Sequence, residues 1–157
     1  MTKVVVFSDS HGSSDEMDMI VRSERPDLVF FLGDGEADIM EIQQARPGLK
    51  ILAVQGNCDL FSGLPMYLNH VVEGTGIFAT HGHHFDVKSD NTLSVLRSSA
   101  VRCGAKIVLF GHTHETCCEM WDDLLVINPG SVHQSYPRTY CLLSFDKGEI
   151  QAEIKEA

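Results

Sequence analysis

Seven side chains of the kinds that hold metals or move protons stand in order along this chain: Asp9 and His11, Asp34, Asn57, His81, then His112 and His114. Carboxylate, amide and imidazole donors together suit hard or borderline divalent ions. Two such ions about 3.5–4 Å apart would clamp an in-line displacement and generate hydroxide from bound water at neutral pH, which is phosphoryl chemistry. Asp9 and His11 are two residues apart, as are His112 and His114. If each pair stays extended, its members point to one side and reach a common centre. Asp34 has two oxygens with which to bridge two cations, and Asn57 offers a carbonyl that adds no negative charge. A lone Asp-x-His usually marks a turn; five such endings in succession are hard to obtain by accident.

Each of these residues follows a short apolar run and sits beside or near a glycine. The runs are Val4-Val5-Val6-Phe7, Leu28-Val29-Phe30-Phe31-Leu32, Ile51-Leu52-Ala53-Val54, Ile77-Phe78-Ala79 and Ile107-Val108-Leu109-Phe110. Rich in branched and aromatic residues and without polar alternation, they read as strands covered on both faces. Ligands of open α/β sheets sit beyond the carboxyl ends of strands, so the seven residues are expected along one edge.

The connecting segments complete the pattern. Ser13 and Glu16 have the spacing of a capping box ahead of Met17, Ile20 and Val21, which predicts a helix closed by Arg25-Pro26. A second helix is predicted near residues 36–45, stopped by Pro47-Gly48. Residues 66–72 and 77–80 flank a glycine-rich turn and read as a hairpin that delivers His81. Ser89 or Asp90 can cap a third helix carrying Leu93, Leu96 and Ala100 and ending at Gly104. Beyond His114 the chain reads as two further hairpins, around Asp122-Asp123 and Asp146-Lys147-Gly148. Two packed mixed sheets with helices outside are the expected α/β architecture.

A chain of 157 residues is expected to form one domain, 1–157, with a core that needs neither disulfide nor structural metal. Twelve basic against 22 acidic side chains give a net charge of −10, which opposes docking on long nucleic acid or an anionic membrane and favours a small phosphorylated substrate. Without a signal peptide or a membrane-length apolar run, the expectation is cytoplasmic. Cys58, Cys103, Cys117, Cys118 and Cys141 are odd in number and lack CxxC spacing, so most are expected to be small buried hydrophobes.

The ordered set Asp9-x-His11, Gly33-Asp34, Gly56-Asn57, His81-Gly82 and Gly111-His112-x-His114 resembles the calcineurin-like metallophosphoesterases. Gly56-Asn57-Cys58-Asp59, Asn128-Pro129-Gly130-Ser131-Val132 and the short length further resemble their compact YfcE-type phosphodiesterase branch, which also includes a retromer subunit. The resemblance implies a four-layer α/β/β/α sandwich and a dinuclear site between the sheets. By position, Asp9, His11 and His114 would hold one ion and Asn57, His81 and His112 the other, with Asp34 bridging. Asp34, Asn57 and His81 would be catalytic as well as ligating. Manganese is the first expectation, with iron, zinc or nickel as alternatives. The implied activity is hydrolysis of a phosphodiester or phosphomonoester by a metal-held hydroxide. A scaffold of the same fold with little activity is the alternative, and Phe61, Leu64, Met66 and Tyr67 could then form a partner or homo-oligomer surface.

Three features depart from the family pattern. Cys58 stands where many members carry a histidine that binds phosphate or protonates the leaving group. Ala37 stands where the wider family tends to place an aspartate; Asp38 is one position later, and with Glu36 reads as an acidic first helical turn. Residues 134–138 look like an extended form of the branch's segment before its Pro-Arg. Of the remaining histidines, His83 and His84 read equally as pocket lining or as exposed loop, and His70 reads as structural. His133 and Arg138 follow the Asn-Pro-Gly-Ser turn and are candidates to meet a phosphate.

Overall fold

In the computed structural model, residues 1–60, 62–133 and 137–157 are described. The expected roles of Phe61 and of residues 134–136 lie outside the described residues. The chain runs β1 (Thr2–Phe7), α1 (Ser14–Glu24), β2 (Leu28–Phe31), α2 (Glu36–Ala45), β3 (Lys50–Ala53), β4 (Tyr67–Val72), β5 (Thr75–Thr80), α3 (Ser94–Arg102), β6 (Ile107–Leu109), β7 (Cys117–Trp121), β8 (Leu124–Asn128), β9 (Thr139–Asp146) and β10 (Glu149–Glu156).

These strands form two five-stranded mixed sheets, ordered β10-β9-β1-β2-β3 and β4-β5-β6-β8-β7. In the first, β1, β2 and β3 are parallel while β9 and β10 return antiparallel. In the second, β5, β6 and β8 are parallel and the edge strands β4 and β7 are antiparallel. Parallel strands present the same end to the same side, so the residues after β1, β2 and β3 gather, as do those after β5 and β6.

Period-2 alternation sorts the side chains into layers. Val4 and Val6 join Phe30, Ile77, Leu109, Ile127 and Leu143 between the two sheets. Val5 and Phe7 face the other way and pack with Met17, Ile20 and Val21 of α1 and Ile39 and Ile42 of α2. Phe78, Val108 and Val126 pack under Leu96 and Ala100 of α3. The result is an α/β/β/α sandwich in which the central strands are covered on both faces, as their unbroken apolar runs require. β3 is the exception among the five runs: it is an edge strand whose residues are half-buried or, at Lys50, exposed.

Local expectations fail where a side chain finds a better partner. The Ser13 hydroxyl makes no cap bond to α1 and pairs instead with His133 Nδ1. α3 starts at Ser94, later than the apolar positions suggested, because Leu93 takes a left-handed conformation (φ +54°) just ahead of it. Asp90 still serves that end, accepting bonds from the backbone N–H and hydroxyl groups of Thr92 and Ser94. The cysteine expectation is overturned: only Cys141 is buried, Cys117 is half-buried, and Cys58, Cys103 and Cys118 are exposed, because β7 is an edge strand and the other two lie in loops.

One buried charge ties the helical layer to β1, β9 and β10 of the first sheet. Glu24, 8% exposed, binds Lys3 at 3.0 Å and Lys155 at 2.6 Å and accepts the Tyr140 hydroxyl at 2.7 Å. Burial alone would raise its pKa, but the bonds from Lys155, Tyr140 and Lys3 outweigh burial and hold it at about 2, against an ordinary 4.5. A depressed carboxylate adds stability above its unfolded pKa that is lost as pH falls through the folded value, here between about 4.5 and about 2. Glu24→Gln should therefore cost on the order of 2 kcal/mol at pH 7, and the gap to the parent should close as pH approaches 2. Urea unfolding at pH 7, 4 and 2.5 measures this; a pH-independent gap would mean the loss is one of packing alone.

Candidate metal centre

At the carboxyl ends of the strands the backbone turns at once into left-handed conformations. Asp9 (φ +55°), His11 (+41°), Asp34 (+62°), His112 (+71°) and His114 (+62°) all adopt positive φ. The Asp9/His11 and His112/His114 pairs are thus coiled, not extended, and the expectation that each pair serves one centre holds only for the first. Donor atoms of Asp9, His11 and His114 lie within 4.8 Å of one another, and those of Asp34, His81 and His112 form a second such group. His112 and His114 therefore part into different clusters. Asn57 joins the second group, with Oδ1 2.9 Å from His81 Nε2.

The buried carboxylates of Asp9 and Asp34 stand between the groups. Asp34 Oδ2 is 3.8 Å from His11 Nε2 and 3.3 Å from His81 Nε2. Asp9 Oδ1 is 3.1 Å from His114 Nε2, 3.8 Å from His11 Nε2 and 3.9 Å from His81 Nε2. No lysine or arginine pairs with either carboxylate among the described residues.

Hydrogen bonding fixes the protons. His81 Nδ1 lies 2.7 Å from the Leu32 carbonyl, which can only accept, so Nδ1 carries the hydrogen. Nε2 then presents its lone pair to Asn57 Oδ1, Asp34 Oδ2 and, at 3.1 Å, His112 Nδ1. Lone pairs converging at such distances need a positive centre among them, either a proton on Nε2 or a metal ion. This donor set fits a divalent cation, and its titration agrees. Burial would raise the Asp34 carboxyl, but His81, the Cys58 N–H and the charge of His11 hold it well below the usual carboxylate range. Burial would lower His81, yet Asp34 and Asp9 raise it. Burial and the His81 charge push His112 down to about 4, so it is an unprotonated donor near neutrality. Metal ligands must be deprotonated: Asp34 and His112 are so near neutrality, while His81, raised by the two carboxylates, would give up its Nε2 proton to a bound ion.

Several residues that sequence reasoning left without a role hold this geometry. The Asp59 carboxylate accepts four backbone N–H groups, those of Asp34 (2.8 Å), Gly35 (3.0 Å), Glu36 (3.1 Å) and Gly56 (2.8 Å). It thereby joins the Asp34 loop, the start of α2 and the Asn57 loop. Asp38 is more than an acidic first-turn residue: it accepts the Ser10 hydroxyl at 2.6 Å and the Gly12 N–H at 2.8 Å, pinning the loop that carries His11. Asp9 Oδ2 takes the Ser8 hydroxyl and, at 3.1 Å, the His112 N–H. Glycine is required where the loops touch: at Gly33 (φ +102°) a Cβ would lie 2.6 Å from Gly56 N, and at Gly56 it would overlap Asp34 Oδ1. The only sequence signals were Gly56-Asn57-Cys58-Asp59 and Asn128-Pro129-Gly130-Ser131, which mark these segments without revealing what they bind.

The other candidates fall inside or outside the site as follows. The His83 ring packs against His81 (5.4 Å) and His112 (6.1 Å) and belongs to the site wall, whereas His84 is exposed beside it. His70 packs on Phe30 away from the site. His133 pairs with Ser13, and Arg138 with Glu16 at 2.9 Å on the surface. The Cys58 N–H donates to Asp34 Oδ1 at 2.8 Å, while its thiol stands outside both donor groups. A cavity of about 820 Å³ between α3 and the β7–β8 turn contains none of the seven residues, so donor chemistry rather than cavity size locates the centre.

Comparison with known proteins identifies the family and the fold. Residues 2–148 match the model of the calcineurin-like phosphoesterase superfamily domain. A phosphodiesterase of Methanocaldococcus jannaschii is 40% identical over 146 residues, covering 82% of each chain. A Streptococcus pneumoniae protein described as a predicted phosphoesterase superposes with a TM-score of 0.82 at 28% identity, covering 99% of this chain and 89% of its own. Vps29 of Chaetomium thermophilum superposes with a TM-score of 0.79 over 100% of this chain and 97% of its own; at 14% identity this likeness concerns the fold alone.

Asp59→Asn replaces an acceptor oxygen with an amide that must face backbone N–H groups. Affinity for Mn²⁺ should fall about 10–100-fold while far-UV circular dichroism is retained. Titration calorimetry decides this; parent-like affinity would show that the two loops hold themselves.

Proposed function

Because the chain belongs to the calcineurin-like phosphoesterase superfamily, we propose that it is a divalent-metal-dependent phosphodiesterase or phosphatase acting on a small phosphorylated substrate in the cytoplasm. The observation that carries this reading is the pair of donor groups, Asp9/His11/His114 and Asp34/His81/His112, meeting over two buried carboxylates. Asp9, His11 and His114 would hold one ion and Asn57, His81 and His112 the other, with Asp34 between them. Manganese is the first candidate by the family resemblance, with iron, zinc or nickel as alternatives that the imidazole-rich donor set also suits; no thiol enters either group. Two divalent ions there supply Lewis-acid stabilisation of phosphoryl oxygens and a nucleophile from water at neutral pH.

The chain's own residues prepare that chemistry. Leu32 fixes the His81 tautomer so that Nε2 stays a donor to the centre. Asp34 remains ionised across the physiological range, and Asn57 contributes an oxygen without charge. Cys58 is a poor proton source for a departing alkoxide, because burial and the nearby Asp34 carboxylate push its thiol above its ordinary pKa. The net charge of −10 disfavours a polynucleotide substrate. A purely scaffolding role would not need seven ligand-type side chains converging, with the His81 tautomer set by Leu32.

The deciding test is metal analysis of the purified protein together with hydrolysis of bis-p-nitrophenyl phosphate. Bound metal with Mn²⁺-stimulated turnover is expected; absence of both would leave the scaffold reading. Asp34→Asn should lower turnover more than Asn57→Ala, because Asp34 lies against histidines of both groups whereas Asn57 sits with the second. Equal losses would remove Asp34 from the bridging position. Diesters with acidic phenol leaving groups should be cleaved far faster than alkyl diesters, and Cys58→Ala should cost less than the roughly 10²–10⁴-fold expected on losing a working general acid. A flat leaving-group series, or collapse of Cys58→Ala with metal content intact, would assign Cys58 a direct role.

A further inference from the structure

Five of the seven candidate ligands adopt left-handed backbone conformations, which side-chain-bearing residues occupy sparsely and hold only where surrounding structure fixes them. The segment of residues 128–133, leading out of β8, supplies such fixation from the second sheet to the first. Asn128 donates through Nδ2 to the Gly111 carbonyl (3.3 Å) and to Thr113 Oγ1 (2.9 Å), on either side of His112, and closes its own turn by accepting Gly130 N–H at 2.9 Å. The buried Ser131 hydroxyl donates to the Asp9 carbonyl at 2.8 Å and accepts the His133 N–H at 3.1 Å. Val132 N–H reaches the Ser8 carbonyl at 3.3 Å, and the Val132 side chain is buried in the layer beneath α1. His133 then grips the Ser13 hydroxyl, two residues beyond His11.

These bonds divide unequally between the two donor groups. Ser131 and His133 act on the loop of residues 9–13, which carries Asp9 and His11 of the first group. The Asp34 and Asn57 loops of the second group are held independently by Asp59. We propose, on the strength of the metal-centre reading above, that Ser131 is a positioning residue selective for the Asp9/His11/His114 position, with His133 as its weaker partner. Without the hydroxyl, the Asp9 carbonyl loses its buried donor and the left-handed turn is free to relax, which widens the spacing between Asp9 and His114. The position built on Asp34, His81 and His112 keeps the Leu32 bond to His81, the Asn128 bonds around His112 and the Asp59 bonds, and shares with the first the His112 N–H bond to Asp9 Oδ2 and the backbone bonds from residues 9 and 11 to residues 33 and 34.

Titration calorimetry with Mn²⁺ and electron paramagnetic resonance of the loaded protein test this on the parent, Ser131→Ala and His133→Ala. The parent should bind two ions with a spin-coupled signal. Ser131→Ala should lose affinity about 10–100-fold at one position only, leaving the other at parent affinity and replacing the coupled signal with that of an isolated ion at substoichiometric loading. His133→Ala should show the same selectivity with a smaller loss. Thr139→Val, which removes a bond to the Pro129 carbonyl in the same segment without touching a ligand loop, should lower the melting temperature and leave both affinities unchanged. Two ions bound by Ser131→Ala at parent affinities, or an equal fall at both positions, would overturn the selective role while leaving the metal centre intact. A parent that binds no ion would overturn the metal reading and this inference together.

Discussion

Asp9 and Asp34 end neighbouring parallel strands and lie buried within a few ångströms of the same histidines, and this packing of negative charge is the constraint to which the rest of the site answers. Each buried carboxylate costs several kcal/mol to remove from water unless it is compensated. Among the described residues the compensation comes from imidazoles, backbone N–H groups and the Ser8 hydroxyl. Histidine is a conditional counterion, since it is positive only when protonated, and His112 is held neutral near pH 7. His81, by contrast, is raised by Asp34 and Asp9, so the two carboxylates draw a proton onto the buried imidazole between them, the positive centre whose place a divalent cation would take.

The same loops that bring the carboxylates together must be kept from springing back. Coiled, left-handed turns shorten the path from each strand to the centre and let donors from separate strands converge, at a conformational cost of on the order of 1 kcal/mol or more at each such residue. Asp59, from the loop after β3, Asp38, from the first turn of α2, and the Asn128–Ser131 turn, from the second sheet, offset it with hydrogen bonds buried or half-buried at the rim. None of these residues belongs to either donor group. Rigidity at the centre thus comes from neighbours one step removed from the chemistry.

How much of this was legible in the sequence follows from the range of each interaction. The central strands were readable because burial on both faces leaves an unbroken apolar run, and the ligand-type residues were readable because they interrupt those runs. The edge position of β3 was not, because Ile51, Leu52 and Ala53 look the same whether one face or two is covered. The spacing of His112 and His114 misled, since period-2 logic assumes extended backbone and both residues are left-handed. Five cysteines of one type scattered into three burial states because exposure is set by sheet order, which composition does not contain. Asp59 and Ser131 carried no local sign of their roles; one binds backbone 23–25 residues away and the other a carbonyl 122 residues away.

Both donor groups draw on both sheets: Asp9, His11 and Asp34 follow strands of the first, and His81, His112 and His114 follow strands of the second. The layer between the sheets is held by apolar packing of Val4, Val6, Phe30, Ile77 and Leu109, which fixes separation but resists sliding only through side-chain fit. A slip by one residue would carry a ligand about 3.3 Å along the strand and break either group. An ion bound in the proposed manner closes a cross-link between the sheets that the unfolded chain cannot offer. Mass action then adds about 2.7 kcal/mol per ion at a free concentration 100 times its dissociation constant. The centre that would perform the chemistry would in that way also select the inter-sheet register on which its own geometry depends.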